Sequence, residues 1–140
     1  VTSENHLRVQ TNLGDLNQVL QWFEQLNQSS IPRKVWIQCK TALAEGFTNA
    51  VRHAHQDFPI ETPIDIEVRI TPEQLEIRIW DFGAAFDLTQ KLESQSHIND
   101  LDAFGGRGLY LIRQLVNHFS YTRLADDRNC LLMVKHYSAT

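Results

Sequence analysis

Glu45 and Asn49 stand four residues apart, Asp81 and Gly83 stand two apart, and Gly105, Gly106, Arg107, Gly108 and Leu109 form one short run. Each group alone is common in proteins. In this order they supply what an ATP site needs: a Mg²⁺ ligand with a base beside it, an acid that can read adenine, and a glycine-rich helix start for phosphate. An asparagine carbonyl oxygen is a neutral hard ligand, suited to a Mg²⁺ that keeps several waters and the phosphates of ATP. A carboxylate one helical turn earlier can take a proton from an attacking hydroxyl or water. An aspartate at a strand end can accept a hydrogen bond from the adenine amino group. Gly83 then lets a flat base approach the backbone closely. Glycines that open a helix expose amides at its positive end, where phosphate oxygens are well accommodated. His53 continues the line of Glu45 and Asn49 one turn on, and is assigned to the site as a hydrogen-bond partner, not as a catalytic group. Phe86 would seat the loop after Gly83 against the core, and Asp87 could cap the segment beyond it.

These residues need elements to hold them. Residues 7–11 alternate like a strand. Leu16, Val19, Leu20, Phe23 and Leu26 recur at helical spacing within 13–28. Pro32 suits a first helical turn, and a second helix is predicted from about Pro32 to about His55. Its core stripe is Trp36, Cys39, Leu43, Phe47, Ala50 and Ala54, which turns Glu45, Asn49, Arg52 and His53 onto a neighbouring polar face. Ile64, Ile66, Val68 and Ile70 alternate with polar residues, as do Leu75, Ile77 and Ile79 after the turn at 71–74, giving a hairpin with one face buried. Residues 88–104 form a long polar stretch of little periodicity, read as a lid. A helix comes after the glycines, with Leu109, Leu111, Ile112, Leu115 and Val116 turned inward, and a closing hairpin spans 119–125 and 129–137. The order predicts an α+β fold: a two-layer α/β sandwich with a mixed, mostly antiparallel sheet and helices on one face. Irregular alternation and the late glycine run argue against a Rossmann fold, and no Lys-Ser/Thr comes after the glycines as in a P-loop.

Composition bounds the rest. The chain has 140 residues, 42% apolar and 21% charged, and is read as a single domain over residues 1–140. A net charge of −4 without a basic run gives no attraction for nucleic acid or a membrane surface. No apolar stretch approaches the roughly 20 residues that span a bilayer, and no signal peptide is visible. Cys39 and Cys130 lack partners at zinc spacing and are read as reduced packing residues of a cytoplasmic protein.

The segment from Ala44 to Ala54, the segment Asp81 to Asp87, and the run from Gly105 to Ile112 resemble the N-box, G1 and G2 motifs of the GHKL (Bergerat-fold) ATPases. The resemblance is strongest to the anti-sigma-factor serine/threonine protein kinases of the RsbW/SpoIIAB type, and it spans nearly the whole chain. It implies that Asn49 holds Mg²⁺ and that Glu45 is the general base for a substrate hydroxyl. It also implies that Asp81 binds adenine with Gly83 beside it, that Gly106 and Gly108 contact phosphate, and that 88–104 is the ATP lid. His53, Phe86, Gly105, Arg107 and Leu109 are counted with the nucleotide site. The implied substrate is a serine or threonine on an anti-anti-sigma (STAS) protein. The implied alternative partner is a sigma factor, and the implied assembly is a homodimer. Ala85 stands where the wider superfamily has a second glycine, and a late-strand threonine of the family has no obvious counterpart near Asn129 and Cys130. Lys91 and Arg107 are the cations near the lid, and which of them meets the γ-phosphate is left open.

The leading expectation is therefore a serine/threonine kinase. The second is a regulatory binding module that uses ATP only to set its shape; Glu45 favours the enzyme, because a binder needs only Asn49, Asp81 and the glycines. A histidine-kinase catalytic domain ranks lower, for want of a phospho-acceptor helix ahead of the domain.

Overall fold

The computed structural model describes residues 2–84 and 106–138, except the side chain of Arg107. Phe86, Gly105, Ala85, Asp87, Lys91 and the expected lid lie outside the described residues. Five strands form one sheet: β1 (Ser3–Gln10), β2 (Pro63–Ile70), β3 (Gln74–Asp81), β4 (His118–Arg123) and β5 (Asn129–His136). Their order is β1-β2-β3-β5-β4, and every ladder among the described residues is antiparallel. The helical layer holds α1 (Leu16–Glu24), α2 (Arg33–Asn49) and α3 (Gly106–Leu115). The α+β sandwich expected from the sequence is thus the observed architecture.

Two-residue periodicity builds the core. Ile64, Ile66, Val68 and Ile70 on β2 face Leu75, Ile77 and Ile79 on β3, and all are at most 1% exposed. Leu131 and Met133 on β5 continue the same rows opposite Ile79 and Ile77. Onto this face packs α2, with Leu43 and Phe47 fully buried. The approach is close at Gly46, where a β-carbon would lie 2.7 Å from Ile79 Cδ1. Helix α1 joins α2 through the stacked rings of Phe23 and Trp36, 4.1 Å apart. Outward positions carry ion pairs instead: Arg8 with Asp65 at 2.7 Å, and Arg78 with Glu67 at 3.3 Å and Glu76 at 2.9 Å.

Boundaries shift where side chains compete with the regular pattern. The first helix begins later than expected. Asn12 Oδ1 accepts from Gly14 N at 2.9 Å and sets a 3₁₀ turn, Leu13–Asp15, ahead of α1. The second helix is α-helical only to Asn49, and Ala50–Ala54 is a π-helical turn. Such wide turns commonly mark functional sites. The strand expected at 7–11 extends back to Ser3 because Ser3 to Gln10 pair with Ile70 to Pro63 along the whole of β2. Cys39 and Cys130 are free and buried, as expected of packing residues, and burial pushes the Cys39 thiol up to about 12.

Phe47 is the largest α2 side chain sealed against the sheet. Phe47→Ala is expected to cost roughly 3–5 kcal/mol, read as a lower midpoint in urea unfolding.

Candidate functional site

The inward row on β3 runs Leu75, Ile77, Ile79 and then Asp81, so the pleat that builds the core carries a carboxylate into it. Asp81 is 2% exposed. Its opposite number on β5 is Asn129, which in turn faces Arg123 on β4. Tyr121 occupies the inward position before Arg123. These strand ends wrap the acid. Gly83 N–H donates to Asp81 Oδ1 at 2.8 Å, and Asn129 Nδ2 donates to the same oxygen at 2.9 Å. The Tyr121 hydroxyl reaches both oxygens, at 3.0 and 2.9 Å. Burial and the Asp81 charge push the Tyr121 phenol upward, which keeps it a donor. Asn129 Nδ2 also donates to Gly83 O at 2.7 Å, and Arg123 Nη1 to the same carbonyl at 2.9 Å. Both acceptors fix which end of the Asn129 amide is nitrogen. Oδ2 of Asp81 therefore retains acceptor capacity, and the fully buried Asn129 leaves its Oδ1 without a partner.

Asn49 closes α2. It is 7% exposed, and its Oδ1 is a buried acceptor with no partner. An orphaned amide oxygen suits a hard cation, which makes Asn49 a fit for Mg²⁺. Glu45 is half-buried one turn earlier. A β-carbon at Gly108 would lie 3.1 Å from Glu45 Oε2, so the carboxylate lies against the first turn of α3. In a helix that starts at Gly106, the first four N–H groups, on Gly106 to Leu109, have no acceptor within the helix itself. Leu109 offers only its backbone, since its side chain is fully buried in the core.

The first and second motifs also meet. His53 lies half-buried in the π-helical turn, and the next residue, Ala54, abuts Gly83. A β-carbon at Gly83 would lie 2.7 Å from Ala54 O and 3.0 Å from Ala54 Cα. Glu45 thus joins the first motif to the third, and Ala54 joins the first to the second. Motif spacing alone passes over Tyr121, Arg123, Asn129 and His55. A signal for the first three existed: polar residues at inward positions of an otherwise apolar hairpin, at the end nearest Asp81.

An α/β sandwich with this site defines the class to which the chain belongs, the histidine kinase-like ATPase domain family. The family model matches residues 9–135, which take in all three motifs. Among curated proteins, the chain is similar to the serine-protein kinase RsbW of several bacteria. It is 36% identical to that of Bacillus velezensis over 85 residues, covering 56% of this chain and 51% of the relative. It is 37% identical to that of Listeria innocua over 83 residues (56% and 52%), and 34% to that of Bacillus subtilis over 83 residues (56% and 51%). The chain spans about half the length of the curated relatives it matches.

Gly83→Ala places a methyl group against backbone atoms that cannot swing aside. It is expected to lower stability by roughly 1–3 kcal/mol in urea unfolding.

Proposed function

We propose that this chain, as a single domain over residues 1–140, is an ATP-dependent serine/threonine protein kinase that acts as an anti-sigma factor. Its substrate is an anti-anti-sigma (STAS) protein, its alternative partner a sigma factor, and its setting the cytoplasm, where it works as a homodimer. Membership of the ATPase family and similarity to RsbW kinases support this reading. No helix among the described residues is long and apolar enough to cross a membrane. The observation that carries the reading is the placement of Glu45 against the α3 start, one turn from the orphaned Asn49 Oδ1.

In this mechanism Asp81 Oδ2 accepts from the adenine amino group, while Gly83 keeps the floor of the pocket free of a side chain. The amides of Gly106 to Leu109 hold phosphate oxygens. Phe86, Gly105 and Arg107 complete the nucleotide contacts, His53 supports them from the π-helical turn, and residues 88–104 cover the nucleotide as a lid. Asn49 Oδ1 would hold a Mg²⁺ ion, which when bound would supply neutralisation of phosphate charge. Glu45 takes the proton of the substrate hydroxyl as its oxygen attacks the γ-phosphorus in line and ADP departs.

Incubation with Mg·ATP and candidate STAS proteins, followed by mass spectrometry for phosphoserine or phosphothreonine, tests the activity directly. Glu45→Ala is expected to lower phosphotransfer by at least roughly 100-fold while ATP still binds. Phosphotransfer at the wild-type rate would remove Glu45 from the base role. Absence of phosphotransfer by the wild type, together with ATP-dependent partner capture, would point to the binding-module alternative. Asn49→Ala is expected to weaken Mg·ATP by about tenfold, equivalent to about 1.4 kcal/mol, in a calorimetric titration; unchanged affinity would rule out the ligand role.

A further inference from the structure

His55 has no part in the chemistry of the site, yet its ring is 1% exposed and fully engaged. It lies just beyond the π-helical turn, and its own N–H donates to Ala50 O at 2.9 Å. Phe82 N–H donates to His55 Nε2 at 2.8 Å. A backbone amide can only donate, so Nε2 holds a lone pair and the ring proton sits on Nδ1. That proton faces Thr11 Oγ1 at 2.8 Å, and the Thr11 hydroxyl passes its own hydrogen to Thr62 O at 2.7 Å. One direction of donation therefore runs through the whole chain, from Phe82 to His55 to Thr11 to Thr62. Phe58 stacks on the imidazole at 4.8 Å and 7°, and the Phe82 ring stands 6.2 Å away.

Phe82 is the residue between Asp81 and Gly83. The imidazole is thus a strut between the outer end of the β1–β2 pair and the turn that carries the adenine contacts. We propose that His55 is a positioning residue of the nucleotide site, and that only its neutral, Nδ1-protonated form holds the Asp81–Gly83 turn in the binding geometry. The proposal rests on the reading of the site as a nucleotide site and adds a pH dependence to it. A proton on Nε2 turns that atom into a donor facing the Phe82 donor, and deprives the half-buried Phe82 amide of its acceptor.

Burial holds the His55 pKa below its ordinary 6.5, and the Asp81 carboxylate pulls the other way. Asp81, on β3, is the charged group whose field acts on the ring; Thr11, Thr62, Phe58 and Phe82, which contact His55 or its hydrogen-bond chain, carry no charge. The strut is therefore intact above about 6.5 and is lost as pH falls through the lower folded-state value.

The test is calorimetric titration with Mg·ATP from about pH 8 to about pH 5, on the wild type, His55→Gln and His55→Phe. A glutamine oxygen can reach the place of Nε2, accepts from Phe82 and does not titrate. Phenylalanine keeps the stack and removes the acceptor. His55→Gln is expected to bind within about threefold of wild type at about pH 8, and His55→Phe about tenfold more weakly. Acidification titrates the nucleotide's own phosphate equally in all three, so the wild type should lose more affinity than His55→Gln. Ring nitrogen chemical shifts of His55 should report the Nδ1-protonated tautomer at neutral pH. Identical acid profiles for wild type and His55→Gln, or a proton on Nε2 at neutral pH, would overturn this proposal alone. Failure of the wild type to bind ATP at about pH 8 would overturn the nucleotide reading and this proposal with it.

Discussion

A carboxylate buried to 2% exposure is the constraint on which the site is built. Removing Asp81 from water carries a desolvation cost that only donors aimed at it can offset. Those donors come from three separate stretches: the Gly83 amide beyond β3, the Tyr121 hydroxyl on β4 and the Asn129 amide on β5. Satisfying the acid therefore aligns the ends of three strands and bends the chain back after β3. Arg123 and Asn129 lock the bend by sharing the Gly83 carbonyl. The same arrangement leaves acceptor capacity on Asp81 Oδ2 and an orphaned Asn129 Oδ1, so it is stable as a scaffold and incomplete as a hydrogen-bond network.

The end of α2 answers this bend from the helical layer. A regular α-helix closes at Asn49, and the π-helical turn beyond it carries Ala54 against Gly83 and His55 against Phe82. Glycine is required at 83 because the Ala54 backbone occupies the space of a side chain. Upstream on the same helix, Gly46 permits close contact with Ile79, which brings Glu45 and Asn49 down to the level of α3. Two glycines far apart in the chain thus serve one purpose: they let α2 lie close enough to the sheet and its loop for three motifs to become neighbours.

Family membership accords with this economy, since the matched region takes in the helix, the strand end and the glycine run together. The apolar alternation of Ile64 to Ile70 and of Leu75 to Ile79 was legible because it has a strict period of two and one buried face. Glu45, Asn49, Asp81 and Gly108 were legible because their types carry chemistry at short spacings. The 3₁₀ turn at Leu13–Asp15 was not, since it depends on a local Asn12 contact that competes with helical spacing. Nor was the π-helical turn, because one extra residue in a turn leaves the apolar stripe nearly unchanged.

By itself the sequence determined which segments form elements, which faces of them are apolar, and which residue types stand at the three motifs. Those properties are local: they arise from side-chain periodicity and from chemistry within a few residues. Only the tertiary structure decided that Asn129 and Tyr121 share the Asp81 carboxylate, that Glu45 meets Gly108, and that His55 braces Phe82. Those contacts join residues far apart in the chain, and they arise from strand order and close packing, which no local pattern encodes.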